Sequence, residues 1–526
     1  MNILFLRICT LFLIVSSFSA AQAADARQVI RVAISSDIAS TEFATKNDDN
    51  TTMVLHHVME SLVAYRDDMT LAPNLASGWT VSDDGKTYRF TIRDGVTFHN
   101  GQPLTAQIVK WNFDRFMDPS RNWGTNCRPQ IDGGFEEYIR PSYIVSVAAP
   151  DTRTVEIRLQ SPSAMFPHHL ASNHCIYGII HPDSVAADGS WSKPVGTGPY
   201  RFVEWRKGDG VILERYKGYV ADRGQASGLA GSRKAIADRV EFRVVTDAAR
   251  AARMLKAGEL DLVPDVKETN RALYSGAARV RMVPQETAEA LMLAIQTRDP
   301  VMRDPRIRLA VAHAMDREAI VDAVLGREGR ANPSMIARGL PQYSAIHADA
   351  VPHDPARARA LLAEAGYKGE RIDILASGDV YPVNLAVARM LQGEMAAAGF
   401  NAAVKEVPWQ TQYETYGSHN YQITPIIFSA RTDPALMYSA IVGQKGDHAW
   451  YLWEDQEADM LTNMAAVEAD PATRQQLFDR LHRKAIAWNP VIMIGNYVRV
   501  DAVGPALARY RGWTMGIPRM WDMDAK

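Results

Sequence analysis

The N-terminal segment sets the conditions under which the rest of this chain folds. Arg7 precedes the apolar run 8–15, and Ala21-Gln22-Ala23 follows. A basic start, a short apolar core and a small-x-small end describe a secretory signal peptide over 1–23, with cleavage before Ala24. The run is shorter than the ~20 residues that a membrane-spanning helix requires. Cys9 lies inside the apolar core rather than at the cleavage point, which argues against lipid attachment there. The expectation is a periplasmic protein that folds where disulfides persist.

Composition narrows the partners. The chain of 526 residues is 47% hydrophobic and 22% charged, the balance of a soluble globular protein. A formal net charge of -2, with no basic run, disfavours nucleic acid and anionic membrane surfaces. Of the three cysteines, Cys9 leaves with the signal and Cys127 and Cys175 remain. An oxidising compartment permits a disulfide between them, and two buried thiols are the alternative. Neither has the CxxC partner that a zinc site uses, so no metal and no cofactor is expected.

The pattern along the chain alternates strands and helices, an α/β signature. Val29–Ile34 is rich in β-branched residues and reads as a strand. Residues 51–65 place Met53, Val54, Val58, Leu62 and Val63 at helical spacing, which predicts a helix. His56 and His57 fall within it on different sides, so they are read as helix residues and not as a chelating pair. Asp84-Gly85 separates two alternating runs and predicts a β-hairpin, with further turns at Asp94-Gly95 and Asn100-Gly101 and a helix starting near Thr105. Gly196 and Gly198 flank a turn where glycine would supply positive φ, leading into a strand over 200–205. No Lys-Ser/Thr follows them, so the turn is not a phosphate loop. A strand is expected over 176–180. Asp304 reads as a helix N-cap before Pro305 at the first helical position.

Four stretches in order carry a family resemblance. Gly78-Trp79 precedes TYRFTIRDGVTFHNGQPLTA and VKWNFDR; then come GTGPYRFVEW from Gly196, DPRIRLAVAHAMDR from Asp304, and a C-terminal half that contains ILASGDVYPVNLAVARM and IIFSARTDPAL. The pattern resembles the extracytoplasmic solute-binding proteins of family 5 of ABC importers, which include dipeptide-, oligopeptide- and nickel-binding proteins. The resemblance implies an α/β, two-lobed periplasmic binding protein of the class II kind that encloses its ligand between the lobes. Lobe one would take 24–285 plus 490–526, with an inserted subdomain at about 70–190, and lobe two 286–489. It further implies hinge closure, delivery to the transmembrane subunits of an ABC permease, a monomer, and no catalysis. The chain also lacks GxSxG and HExxH.

The same resemblance orients the search for a ligand site. Peptide-binding relatives carry an acidic residue a few positions before the Asp-Pro of the Phe428–Pro434 loop; this chain has Arg431 there, followed by Asp433. An arginine repels an ammonium and attracts carboxylate or phosphate, while Asp433 is either a ligand contact or the loop's structural partner. Asn173 and His174, beside Cys175, occupy the stretch where nickel-binding relatives place an arginine. A Cys127–Cys175 bond would hold Asn126 and Arg128 against the same wall. Ser35, Ser36 and Thr41 follow the first strand, where such sheets meet their cleft. Tyr381 precedes Pro382, and Trp409 follows Pro408 at a strand end; both are candidate platforms. Trp450 and Tyr451 are of the same kind. Together these residues favour a small polar anion, of the opine or sugar-phosphate kind. A di- or oligopeptide and a metal chelate are the alternatives.

Overall fold

The computed structural model describes residues 28–42, 48–118, 144–172, 177–446 and 451–521. The signal segment, Asn126, Cys127, Arg128, Asn173, His174, Cys175 and Trp450 lie outside the described residues. In chain order the strands are β1 (Val29–Ile34), β2 (Val63–Tyr65), β3 (Leu71–Pro73), β4 (Ala76–Val81), β5 (Thr87–Ile92), β6 (Ile144–Ala148), β7 (Thr154–Leu159) and β8 (Tyr200–Arg206). They continue as β9 (Gly210–Arg215), β10 (Arg239–Val244), β11 (Leu262–Val263), β12 (Arg281–Ile295), β13 (Arg371–Ala376), β14 (Asn401–Glu406), β15 (Ile423–Phe428) and β16 (Val491–Val503).

Ten of them form one sheet in the order β14-β13-β15-β12-β16-β11-β1-β10-β9-β8. The two long strands β12 and β16 lie in its middle and pair antiparallel, from Arg281 opposite Val503 to Ala294 opposite Val491. The first half of β12 shares its stretch of β16 with β11, and the second half pairs with β15. A register shift between Glu286 and Ala290 separates the halves. Each long strand therefore has one end in each half-sheet, with the irregularity between, where a bulge bends a strand. One core cluster gathers around Leu291, Leu293, Ile374, Leu391 and Ile492, and another around Ile30, Val32, Phe90 and Phe242. The two-lobed α/β fold expected from the motifs is the one observed.

A second, four-stranded antiparallel sheet, β4-β5-β7-β6, stands apart. In β5 the side chains of Tyr88, Phe90 and Ile92 are buried and those of Arg89 and Thr91 exposed, the period-two pattern of a half-covered sheet. Asp84-Gly85 makes the expected turn, with Gly85 at φ 68°. The helix Ala106–Phe116 covers this sheet through Val109, Phe113 and Phe116, and Thr105 caps it by accepting from the Ile108 amide at 3.3 Å. Asp304 also caps as expected, accepting from the Arg306 amide at 2.8 Å with Pro305 at the first turn.

Three local expectations need correction. The helix expected over 51–65 spans only Asp49–Leu55, and 63–65 is strand β2. Every residue from 51 to 65 is buried, so apolar spacing there marked no exposed and covered faces. Gly196 and Gly198 do not adopt positive φ. Their role is close approach: a Cβ on Gly196 would lie 2.0 Å from the Val58 carbonyl oxygen, and one on Gly198 2.5 Å from that of His57. Residues 177–180 form no strand. Asn112 holds them, bonding both the amide and the carbonyl of Ile180, while the Ile179 amide donates to the Glu60 carbonyl at 2.9 Å.

His57 ties the end of the chain to this junction. Its Nδ1 lies 2.8 Å from the Met53 carbonyl, and its Nε2 accepts from the Met520 amide at 3.0 Å. Accepting from an amide requires the neutral ring, protonated on Nδ1. Burial pushes the pKa down to about 3. A folded pKa below the unfolded one near 6.5 stabilises the fold fully above pH 6.5 and progressively less as pH falls towards the folded value.

Two outcomes are expected. Stability should fall between pH 6.5 and 4 by about 1.4 kcal/mol per pH unit for His57 alone, and His57→Gln should flatten the slope in urea titrations. Gly196→Ala should lower the melting temperature by the equivalent of at least ~2 kcal/mol. Gly393→Ala, on an open helix surface with nothing within 4 Å, should raise stability by up to about 1 kcal/mol.

Candidate functional site

Strand direction locates the cleft. β1 runs parallel to β10, and β13 runs parallel to β14 and β15. In such sheets the ligand crevice lies beyond the carboxyl ends of the strands. Those ends lead into 35–41 after β1, 377–381 after β13, 407–409 after β14 and 429–433 after β15.

On the β13 side one carboxylate fixes the geometry. Asp379 accepts from the Val380 amide at 2.7 Å, from the Trp409 amide at 3.2 Å to each oxygen, and from the Ser377 hydroxyl. It thereby ties the loop after β13 to the first turn of the helix Trp409–Gly417. Trp409, expected at a strand end, opens that helix three residues beyond the end of β14. Tyr381 stands just before the helix Pro382–Ala397. The two half-buried rings meet edge to face, with centroids 4.7 Å apart at 72°.

Tyr381 also faces a charged cluster that the sequence reading did not single out. Burial raises its phenol pKa, and the charges of Lys267, Glu289, Asp49 and Arg499 act on it as well. Glu289 belongs to β12 and Arg499 to β16, and they form a two-point ion pair at 2.8 and 3.1 Å. The Arg499 guanidinium also reaches Asp49 at 2.9 Å, at the start of the helix Asp49–Leu55. Burial opposes the Arg499 charge, but Glu289 and Asp49 outweigh it and hold the guanidinium protonated. Lys267 pairs with Asp265 at 2.6 Å and lies over the Tyr497 ring. A sequence signal existed: Arg499 and Asp501 are the charged residues of the otherwise uncharged β16, and charges in buried strands demand partners.

The loop after β15 divides its two charges. Asp433 is fully buried; Arg474 donates to both of its oxygens, at 2.7 and 2.8 Å, and the Ala435 amide donates to one. Burial alone would raise the Asp433 carboxyl, but the Arg474 charge, with His168 and the hydrogen bonds, holds it below the ordinary value. His168 Nδ1 stands 3.8 Å from Asp433, and Arg474 Nη2 lies 3.0 Å from the Met165 sulfur. The pair thus pins the loop to both the helix Pro471–Trp488 and the helix Phe166–Leu170. Asp433, expected as a ligand contact or a structural partner, has the surroundings of a structural partner. Arg431, half-buried, leans back over the Phe428 ring at 5.1 Å.

After β1, Ser35 is exposed and Ser36 receives Asn50 Nδ2 at its hydroxyl, 2.8 Å away. Thr41 is buried and accepts from the Trp191 indole at 3.0 Å. The structure thus brings Tyr381 and Trp409 into contact and places Arg431 and Asp433 on one loop, whereas Thr41 bonds to Trp191. Tyr451 packs against the backbone of Gly443. Among the described residues no group of three or more His, Cys, Asp or Glu side chains is placed to hold a metal ion, and no helix is long and apolar enough to cross a membrane.

Comparison with known proteins places this geometry. The family model of bacterial extracellular solute-binding proteins, family 5, matches residues 70–448. The glutathione-binding protein GsiB of Salmonella typhi is 29% identical over 394 residues, covering 74% of this chain and 71% of that protein. HbpA2 from Haemophilus parasuis superposes with a TM-score of 0.81 at 23% identity, over 95% of this chain and 100% of that one. AgaA of A. tumefacien R10, in complex with agropinic acid, gives 0.70 at 22% identity over 95% and 99%.

Removing one member of the Asp433–Arg474 pair leaves the other charge buried. Asp433→Asn should cost about 3–5 kcal/mol in urea unfolding. The stabilisation from Asp433 is present above the ordinary carboxylate pKa of about 3.9 and is lost as pH falls through its lowered folded value.

Proposed function

This chain belongs to the bacterial extracellular solute-binding proteins of family 5, receptors that serve ABC importers from outside the cytoplasm, and we propose that it captures a small organic anion by hinge closure. The solute carries a carboxylate or phosphate, as opines and sugar phosphates do. In this reading residues 1–23 are a cleaved signal peptide, and the mature chain works as a periplasmic monomer that hands its solute to permease subunits. Lobe one takes 24–285 and 490–526, including the subdomain at about 70–190, and lobe two takes 286–489. The irregularity between Glu286 and Ala290 serves as part of the hinge. An open form persists until a solute touching both lobes favours closure by its differential affinity.

One observation carries the choice of anion. The only carboxylate in the loop 429–433 is Asp433, and both of its oxygens are engaged by Arg474 in the interior. That loop has no carboxylate left to pair with the ammonium of a peptide, and its other charged side chain is the cationic Arg431. Tyr381 and Trp409 supply an aromatic corner, and Asn126, Arg128, Asn173, His174, Ser35 and Thr41 complete the proposed set of polar contacts. A peptide is the second reading, favoured by the likeness to GsiB, named as glutathione-binding. A metal chelate is a third.

Native and denatured mass spectra of periplasmic protein test the reading. One discrete mass increment, matching a carboxylated or phosphorylated compound, is expected; a ladder of increments from mixed peptides overturns it. With the solute in hand, Arg431→Ala should weaken binding by at least ~1.5 kcal/mol, the scale of a charge-assisted hydrogen bond, measured by titration calorimetry. Unchanged affinity removes Arg431 from the site.

A further inference from the structure

The loop after β15 meets the opposite lobe across a buried seam. On one side stands the helix Phe166–Leu170, with Met165 at its start. It is held to β2 and β5, in lobe one. Tyr88 donates its hydroxyl to the Ser163 carbonyl at 2.6 Å, its ring lies 5.0 Å from that of Phe166, and the Tyr65 hydroxyl lies 2.7 Å from His168 Nδ1. On the other side stands the helix Pro471–Trp488, held within lobe two. Arg308 donates to the Trp488 carbonyl at 3.0 Å, Gln475 donates to the Gln342 carbonyl at 3.0 Å, and His482 Nε2 lies 3.2 Å from the Asp349 carbonyl. Each helix is thus fixed to its own lobe, and what passes between them is contact from lobe to lobe.

Four side chains make that contact. Arg474 donates from Nε to the Ala465 carbonyl at 2.7 Å and from both Nη atoms to Asp433, so its charge is met inside its own lobe. Nη2 then reaches the Met165 sulfur at 3.0 Å, and His168 Nδ1 stands 3.8 Å from an Asp433 oxygen. Burial lowers the His168 pKa to about 4, so the ring faces Asp433 uncharged at neutral pH. Met165 and Asp433 are both fully buried. The lobes therefore meet through a polarisable sulfur and a neutral ring. Such a seam opens at modest cost, because separation strands no charge: Asp433 keeps Arg474, and His168 keeps Tyr65.

We propose that Met165 and His168 of lobe one, with Arg474 and Asp433 of lobe two, form a latch that brings the lobes together without solute, so that the empty receptor populates a closed form beside the open one. The proposal rests on the two-lobed, hinge-closing reading given above. A solute entering such a receptor completes a closure that is already partly favoured, and its affinity includes the strength of the latch. Groups in the cleft select the solute; the latch sets how firmly any accepted solute is held.

Electron–electron double resonance on the full mature chain tests the latch, with spin labels at the exposed positions Val145 of β6 and Met460 of the helix Gln456–Val467, one on each lobe. The chain is measured as purified and again after dialysis from guanidinium chloride, which strips bound solute. The stripped chain should show two separations. The ratio of the shorter to the longer should fall at least about tenfold in Met165→Ala/His168→Ala, the scale of one buried methionine side chain. Met165→Ala alone should give an intermediate fall, and Met165→Leu, which keeps the bulk, should retain most of the shorter separation. One separation in the stripped chain, or two in a ratio that none of these changes moves, overturns the latch. Where a single separation is shorter in the chain as purified, hinge closure stands and the latch alone falls. The same single separation before and after stripping removes the hinge as well.

Discussion

The pairing of β12 with β16 is the constraint on which the rest of the molecule depends. The half-sheet β14-β13-β15 and the half-sheet β11-β1-β10-β9-β8 are hydrogen-bonded into one sheet only through these two strands. One apolar cluster runs from Ile30 and Phe242 of one half to Leu375 and Ile426 of the other, a second gathers around Ile374 and Leu391, and the crossing strands decide how the halves meet. The register shift between Glu286 and Ala290 comes where β12, paired with β16 on both sides of it, takes β15 as its second neighbour. A two-lobed receptor needs such an arrangement: stiff halves, and a short irregular stretch that can absorb a change of angle.

How much of this was legible in the sequence depended on whether the determining contacts were local. The β4–β5 hairpin was readable because alternation, Asp84-Gly85 and the cap at Thr105 all act within a few residues. The stretch 51–65 was not, because burial on every side removes the contrast between faces that periodicity needs. Gly196 and Gly198 stood out as glycines, yet their cause is nonlocal: the backbone at His57 and Val58 runs against them. A turn conformation and a close approach leave the same residue in the sequence, and only the fold tells them apart.

The site divides along the same line. Tyr381 and Trp409 were placed beyond strand ends from local pattern, but their contact depends on Asp379, whose carboxylate reaches thirty residues along the chain to the Trp409 amide. Glu289 and Arg499, 210 positions apart, were missed because nothing near either one announces the other. Arg474 was missed in the same way, and it settles the surroundings of Asp433. Charged residues inside apolar strands were the available clue, since burial of a charge is tolerated only with a partner.

The Glu289–Arg499 pair has a mechanical meaning beyond its place beside Tyr381. Arg499 sits opposite Gln285 before the register shift, whereas Glu289 lies within it, next to Ala290, so the pair spans the irregular stretch. Separating buried opposite charges is among the costlier events in a protein interior, so the pair restrains how far this stretch can bend. The contact of Arg499 with Asp49 is different, because Asp49 sits on a helix outside the crossing strands and is largely exposed. Water can replace it at little expense. In the proposed hinge closure the Asp49 contact is the one that yields, and the Glu289–Arg499 pair is a clasp across the bend that favours the angles at which both of its bonds stay made.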